Sequence, residues 1–112
     1  MPAYIDRDSE LVTLRSEQIG NATVRVRTRL VGNTAVVDLF EYAPHNDRPL
    51  SATKLAGIVR AEAKPHLAKP RAVSLPIADT AIVRERNRLD ENGHVVTDHL
   101  RVRSLTYVVK SR

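Results

Sequence analysis

Strict two-residue periodicity is the feature that most constrains this chain. In residues 22–31 (Ala-Thr-Val-Arg-Val-Arg-Thr-Arg-Leu-Val) apolar and polar side chains alternate almost without a break. A period of two belongs to a strand, because successive side chains point to opposite faces of a sheet. Gly32-Asn33 follows, and residues 34–42 are rich in β-branched and aromatic side chains. Glycine first in a two-residue loop suits a type II′ turn, whose backbone matches the twist of its strands. A β-hairpin is predicted here. A second is predicted where Asn92-Gly93 separates residues 80–90 from residues 94–110, since Asn-Gly between alternating runs is the strongest short hairpin signal.

Between these runs the signals are shorter. Residues 1–8 are mixed and read as a loose arm. Residues 10–16 alternate weakly through Leu11, Val12 and Leu14, which fits an edge strand or a helical turn. Ile19-Gly20-Asn21 is a turn signal. Residues 43–50 hold Pro44, His45, Asn46, Asp47 and Pro49, which is loop chemistry. Ser51 is a candidate helix N-cap. Leu55, Ile58, Val59 and Glu62 recur at three and four residues, so a helix is predicted over 52–64, stopped by Pro65. Gly57 costs that helix about 1 kcal/mol relative to Ala, and would repay closer approach to a sheet. Residues 71–77 read as one more short strand with Pro76 at its end. The predicted fold is α+β: an antiparallel sheet of five or six strands, with two long β-hairpins and one central α-helix. The order is β-β-β-α-β-β-β within one domain, residues 1–112.

In a two-residue hairpin, opposed residues have a constant index sum. Val31 opposite Thr34 gives 65. One face then carries Val24, Val26, Thr28 and Leu30 against Glu41, Leu39, Val37 and Ala35, which is the predicted core. The other carries Thr23, Arg25, Arg27 and Arg29 against Tyr42, Phe40, Asp38 and Val36. For the second hairpin, Glu91 opposite His94 gives 185. Val83, Glu85, Asn87 and Leu89 then share an inward face with Val102, Leu100, Asp98 and Val96. Arg84, Arg86 and Arg88 share the other with Arg103, Arg101 and His99, and Tyr107 continues it. This places Arg84 directly opposite Arg101, a destabilising arrangement where an unlike pair would contribute roughly 0.2–1 kcal/mol.

Composition limits what such a sheet could do. Lys+Arg is 18 against 13 Asp+Glu, a formal charge of +5, and 14 of the 18 cations are Arg. The absence of Cys removes disulfides, thiolate nucleophiles and Cys-ligated zinc. His94 and His99 are five apart on a strand and face opposite sides, so no metal site is expected. No Gly-rich phosphate loop or convergent acidic cluster is present, so neither catalytic residues nor a cofactor is expected. No apolar run approaches a membrane span and the first residues lack a signal-peptide pattern, so no membrane partner is expected and the location expected is cytoplasm or virion.

The expected function is nucleic-acid binding, to RNA or to single strands, by an Arg-lined sheet face. Arg25, Arg27, Arg29, Arg84, Arg86, Arg88, Arg101 and Arg103 are the candidate phosphate contacts, since the planar guanidinium fork matches phosphate. Phe40, Tyr42 and Tyr107 are the candidate stacking groups. A solvated polar face gives the same alternation, and an interaction module docking an acidic protein surface is the competing class. The tip of the second hairpin, polar on both faces, should project, and the sheet has edges to cover. Both features suggest a homo-oligomer, most simply a two-fold dimer with sheets joined edge to edge. A viral coat or packaging protein is one specific form of this expectation. Coats of small single-stranded RNA phages are similar in kind, being short, sheet-rich and RNA-binding on one sheet face; their helices come last, whereas here the helix is central.

Overall fold

Two tight turns set the first half of the chain. The computed structural model describes residues 10–112; the arm expected over residues 1–8 lies outside them. Gly20 and Gly32 take φ of 59° and 61°, and no other residue type has positive φ among the described residues. Positive φ at the first turn position only is the type II′ pattern. These turns join β1 (Glu10–Ile19), β2 (Ala22–Val31) and β3 (Thr34–Pro44). The pairing of β2 with β3 keeps the index sum of 65 from Thr23 opposite Tyr42 to Val31 opposite Thr34. β1 resolves the alternative left open for residues 10–16. It is an antiparallel edge strand, with a bulge between Leu11 and Thr13.

The helix α1 (Ala52–Ala63) begins where predicted. The Ser51 side chain accepts a hydrogen bond from the Lys54 N–H at 3.1 Å, a standard N-cap. Lys64 caps the other end, and Pro65 sits in a 3₁₀ turn, Lys64–His66. Gly57 is exposed, and a Cβ there would meet nothing within 4 Å. It does not bring the helix closer to the sheet; the buried side of α1 is Leu55, Ile58, Val59 and Ala63.

The remaining strands are β4 (Ala78–Leu89) and β5 (Val95–Lys110), giving one five-stranded antiparallel sheet in the order β1-β2-β3-β5-β4. The sixth strand expected over residues 71–77 does not form. That segment bonds to β5 only near its ends, Arg71 N–H to Lys110 O at 2.9 Å and Ile77 N–H to Thr106 O at 2.8 Å. Pro76, which has no N–H to donate, lies inside the span that bows away. The observed order is therefore β-β-β-α-β-β.

The core lies between α1 and one face of the sheet. Val24, Val26, Val37, Leu39, Leu105, Tyr107 and Val109 meet Leu55, Ile58, Val59 and Leu67 there. Each such fully buried aliphatic side chain contributes roughly 1.5–3 kcal/mol. The molecule measures 55 × 32 × 20 Å. Its radius of gyration is 16.4 Å, where a compact domain of this length would have about 13 Å. The extra length comes from β4 and β5, which continue beyond the last β3 pair, Pro44 with Leu100, as a two-stranded arm. No helix among the described residues is long and apolar enough to cross a membrane.

Candidate nucleic-acid interface

With α1 on one face, the sheet has a helix face and an open face. Parity of the registers assigns every strand residue to one or the other. The open face of β2 carries Arg25, Arg27 and Arg29, opposite Phe40, Asp38 and Val36 of β3. β1 adds Leu14, opposite Arg27, and Ser16, opposite Arg25. Across the sheet, β5 contributes Leu100, Val102, Ser104 and Thr106 to this face. β4 contributes Ile82, Arg84, Arg86 and Arg88. Two arginine rows thus flank a central strip that contains Phe40, Tyr42 and Val102, all half-buried.

Asp38 anchors the first row. It is 5% exposed and accepts from Arg27 Nε at 3.0 Å, Arg27 Nη2 at 2.8 Å and Thr106 Oγ1 at 2.8 Å, with Arg29 Nη2 at 3.4 Å. Arg25 has no carboxylate partner among the described residues. It lines a shallow pocket of about 210 Å³ with Leu14, Arg27, Phe40 and Tyr42. A cation beside two aromatic rings in an open pocket offers a stacking surface and a phosphate contact together.

The second row stands as a correction to the pairing arithmetic. The turn after β4 has three residues, not two. Asp90 Oδ1 accepts from the Asn92 and His94 N–H groups at 2.9 and 2.8 Å. Gly93, at φ 79°, donates to Asp90 O, and Asp90 N–H donates to His94 O. This is a type I turn closed by a left-handed glycine, the common three-residue hairpin loop. One extra residue lowers the index sum from 185 to 184 and moves every β5 side chain to the other face relative to β4. Arg84 therefore lies opposite Leu100, and Arg86 opposite Asp98. The expected Arg84–Arg101 opposition does not occur. Asp98 accepts from Arg88 Nε at 2.7 Å and from Arg86 Nη2 at 3.4 Å. These bonds, with Arg88 foremost, hold its carboxyl below the usual aspartate range. Arg84 has no carboxylate partner among the described residues. Nor does β4 have an inward face: all twelve of its residues are exposed.

Arg101, Arg103 and Tyr107 belong to the helix face. Arg103 makes a two-pronged bond to Asp79, both arms 3.0 Å, which keeps the Asp79 carboxyl below its ordinary range. Arg101 Nη1 donates to Asp47 O at 2.6 Å, and its Nη2 stands 3.7 Å from Glu41 Oε2. Glu41 is fully buried and accepts the Leu50 N–H at 3.0 Å. Together Arg101 and Glu41 fasten the loop that leads into α1. Tyr107 is 3% exposed, and burial pushes its hydroxyl up. It packs in the core and has no free ring face for a base.

The faces differ in charge balance. On the helix face Arg15, Arg101 and Arg103 meet Glu17, Glu62, Glu41 and Asp79. On the open face Arg25, Arg27, Arg29, Arg84, Arg86 and Arg88 meet two carboxylates, Asp38 and Asp98. The positive imbalance of the sheet lies on the open face. Sequence reasoning missed Leu14 and Ser16 as members of it. A constant sum of 41 across Gly20-Asn21 would have found both. Among the described residues no three His, Asp or Glu side chains gather as a metal site. Comparison with known proteins gives no match to this chain, whether to a family model, a curated protein or a solved structure.

Proposed function

We propose that the open sheet face binds single-stranded nucleic acid, RNA in the first instance. Arg25, Arg27, Arg29, Arg84, Arg86 and Arg88 contact phosphates, and Phe40 and Tyr42 stack on bases. The observation that carries this reading is the unmatched charge beside half-buried aromatic rings: six arginines, two aspartates, and Arg25 unpaired among the described residues in one pocket with Phe40 and Tyr42. The exposed pairs of Arg86 and Arg88 with Asp98 are no obstacle, because surface ion pairs contribute only about 0–1 kcal/mol and exchange readily for phosphate. Homo-oligomerisation is compatible with this reading but not required by it; a coat or packaging protein would repeat this face along its nucleic acid.

Fluorescence anisotropy with labelled single-stranded RNA and DNA, measured over a salt series, tests it. The logarithm of affinity should fall linearly with the logarithm of salt, with a slope of about −0.7 per phosphate contacted. Arg25→Ala combined with Arg84→Ala should make that slope shallower by about 1.4. Phe40→Ala should weaken binding by about 1–3 kcal/mol, the usual worth of one stacked base. No binding of either strand at low salt overturns the proposal. Capture of an acidic protein by a chain that ignores both oligonucleotides would assign the face to protein docking instead.

A further inference from the structure

β4 ends the sheet on one side, and no element among the described residues covers its outer edge. The hydrogen bond from Asp90 N–H to His94 O fixes which backbone groups face β5. In an antiparallel ladder they alternate, so Asp90, Arg88 and every second residue back to Ala78 turn inward. Asp79, Ala81, Val83, Glu85 and Asn87 turn their N–H and C=O groups outward. Such an edge is a template for another strand unless a bulge, a proline, a cover or opposed like charges blunt it. β1 has a bulge, whereas β4 contains neither proline nor glycine and pairs with β5 without irregularity. Among the described residues, six of the nine large exposed hydrophobic side chains also cluster along this edge and its flanks: Leu75, Ile77, Ile82, Val83, Leu89 and Val95.

We infer that β4 pairs antiparallel with β4 of a second copy, about a two-fold axis at Val83. Two-fold symmetry makes every index sum even, so both helices fall on one side and both open faces on the other. Charge excludes the two neighbouring registers, and an axis further from the middle of β4 (Ala78–Leu89) shortens the overlap. An axis at Ile82 sets Asp79 against Glu85 of the second copy, twice. An axis at Arg84 sets that arginine against itself. An axis at Val83 opposes no like charges. It sets Asp79 against Asn87, and it places Arg84, Arg86 and Arg88 opposite the uncharged Ile82, Thr80 and Ala78. The outward groups supply roughly ten backbone hydrogen bonds across the axis. The two five-stranded sheets become one, with both β4 arginine rows at its centre. This pairing does not depend on the nucleic-acid reading, and either can fail alone.

The chain has no cysteine, so single-cysteine variants report the register directly. In protein treated with nuclease and freed of nucleic acid, light scattering should give the mass of two chains. Opposed hydrogen-bonded residues have Cα atoms about 5.5 Å apart, inside the disulfide range. Val83→Cys should therefore cross-link to a covalent dimer on mild oxidation. Thr80→Cys, six positions out of register with its own mate and about 20 Å from it, should not. Val83→Pro removes only an outward N–H, and should leave a folded monomer with an unchanged circular dichroism spectrum. A monomeric unmodified protein overturns the inference. So does a dimer that survives Val83→Pro, or one that cross-links through Thr80→Cys and not through Val83→Cys.

Discussion

Replacing Asp38 should separate folding from binding. The residue is 5% exposed, and its carboxylate has four hydrogen-bond donors, three of them on Arg27 and Arg29. Removing one partner of a buried ion pair typically costs about 3–5 kcal/mol, because the other charge is left uncompensated. The Arg27 side chain is 44% exposed and can turn to water, so about 2–3 kcal/mol is the expected loss for Asp38→Ala, discounted for that screening. With a typical urea m-value this lowers the unfolding midpoint by about 1–2 M. Asp38→Asn should cost less, since its oxygen still accepts from Arg27 and its amide can donate to the Thr106 hydroxyl. Binding should move the other way. Either variant leaves the Arg27 and Arg29 guanidinium groups on the open face without a carboxylate and adds one net positive charge. Affinity for a single-stranded oligonucleotide should rise and the salt slope should steepen by up to about 1.4. Urea titrations give the first quantity and anisotropy over a salt series the second. A variant of unchanged stability would refute the buried pairing. A destabilised variant whose folded form binds more weakly would refute the role of Arg27 and Arg29 as phosphate contacts.

Four further outcomes follow from local geometry. Gly57→Ala should stabilise the protein by about 0.5–1 kcal/mol in urea unfolding, since its Cβ meets nothing and the helix gains propensity. Gly93→Ala should cost about 1–2 kcal/mol by the same measurement, because φ there is 79°. Glu41→Ala should cost about 3–5 kcal/mol and expose the loop before α1 to hydrogen exchange at Leu50, whose N–H loses its acceptor. Asp79 governs part of the acid response. Arg103 holds its folded-state carboxyl below the ordinary value, so the stability it contributes is complete above about pH 4 and fades as pH falls through the lower folded value. Asp79→Asn should therefore lower the urea midpoint by a constant amount above that pH and reduce its decline below it, with Asp98 retaining the rest.

Local pattern made the first hairpin legible and misled on the second for an identifiable reason. For residues 22–42, alternation and turn chemistry agreed with each other, and the core face followed from parity. For β4 and β5 the turn was ambiguous. Asn92-Gly93 alone suggests two loop residues, but Asp90 two positions earlier can accept from the turn's N–H groups and makes it three. A second signal was available in the charges. The two-residue register set Arg84 against Arg101, and the three-residue register sets Arg86 against Asp98. The repulsion that followed from the two-residue count was itself an argument against that count. What no local reading supplies is the face β5 presents to the helix. The pairing of Leu39 with Leu105 decides it, through contacts 66 residues apart in the chain.

That long-range pairing also determines which arginines are available. β5 is held by β3, so Arg101 and Arg103 sit beside Glu41, a residue the β2–β3 register places in the core. An arginine pair there serves the fold. Arg101 and Glu41 hold the loop before α1, and Arg103 holds Asp79 at the start of β4. β4 is exposed on both faces, and among the described residues its arginines have only Asp98 to balance them. The same residue type therefore has opposite meaning on the two sides of one sheet. Under the helix, guanidinium groups are matched to carboxylates in a partly desolvated layer, where an unmatched charge would be costly. On the open face water screens the surplus, so it can persist without unfolding the sheet until an anion displaces that water. Charge reversal at Arg103 should accordingly appear as lost stability, whereas reversal at Arg84 should appear as lost binding with the urea midpoint almost unchanged.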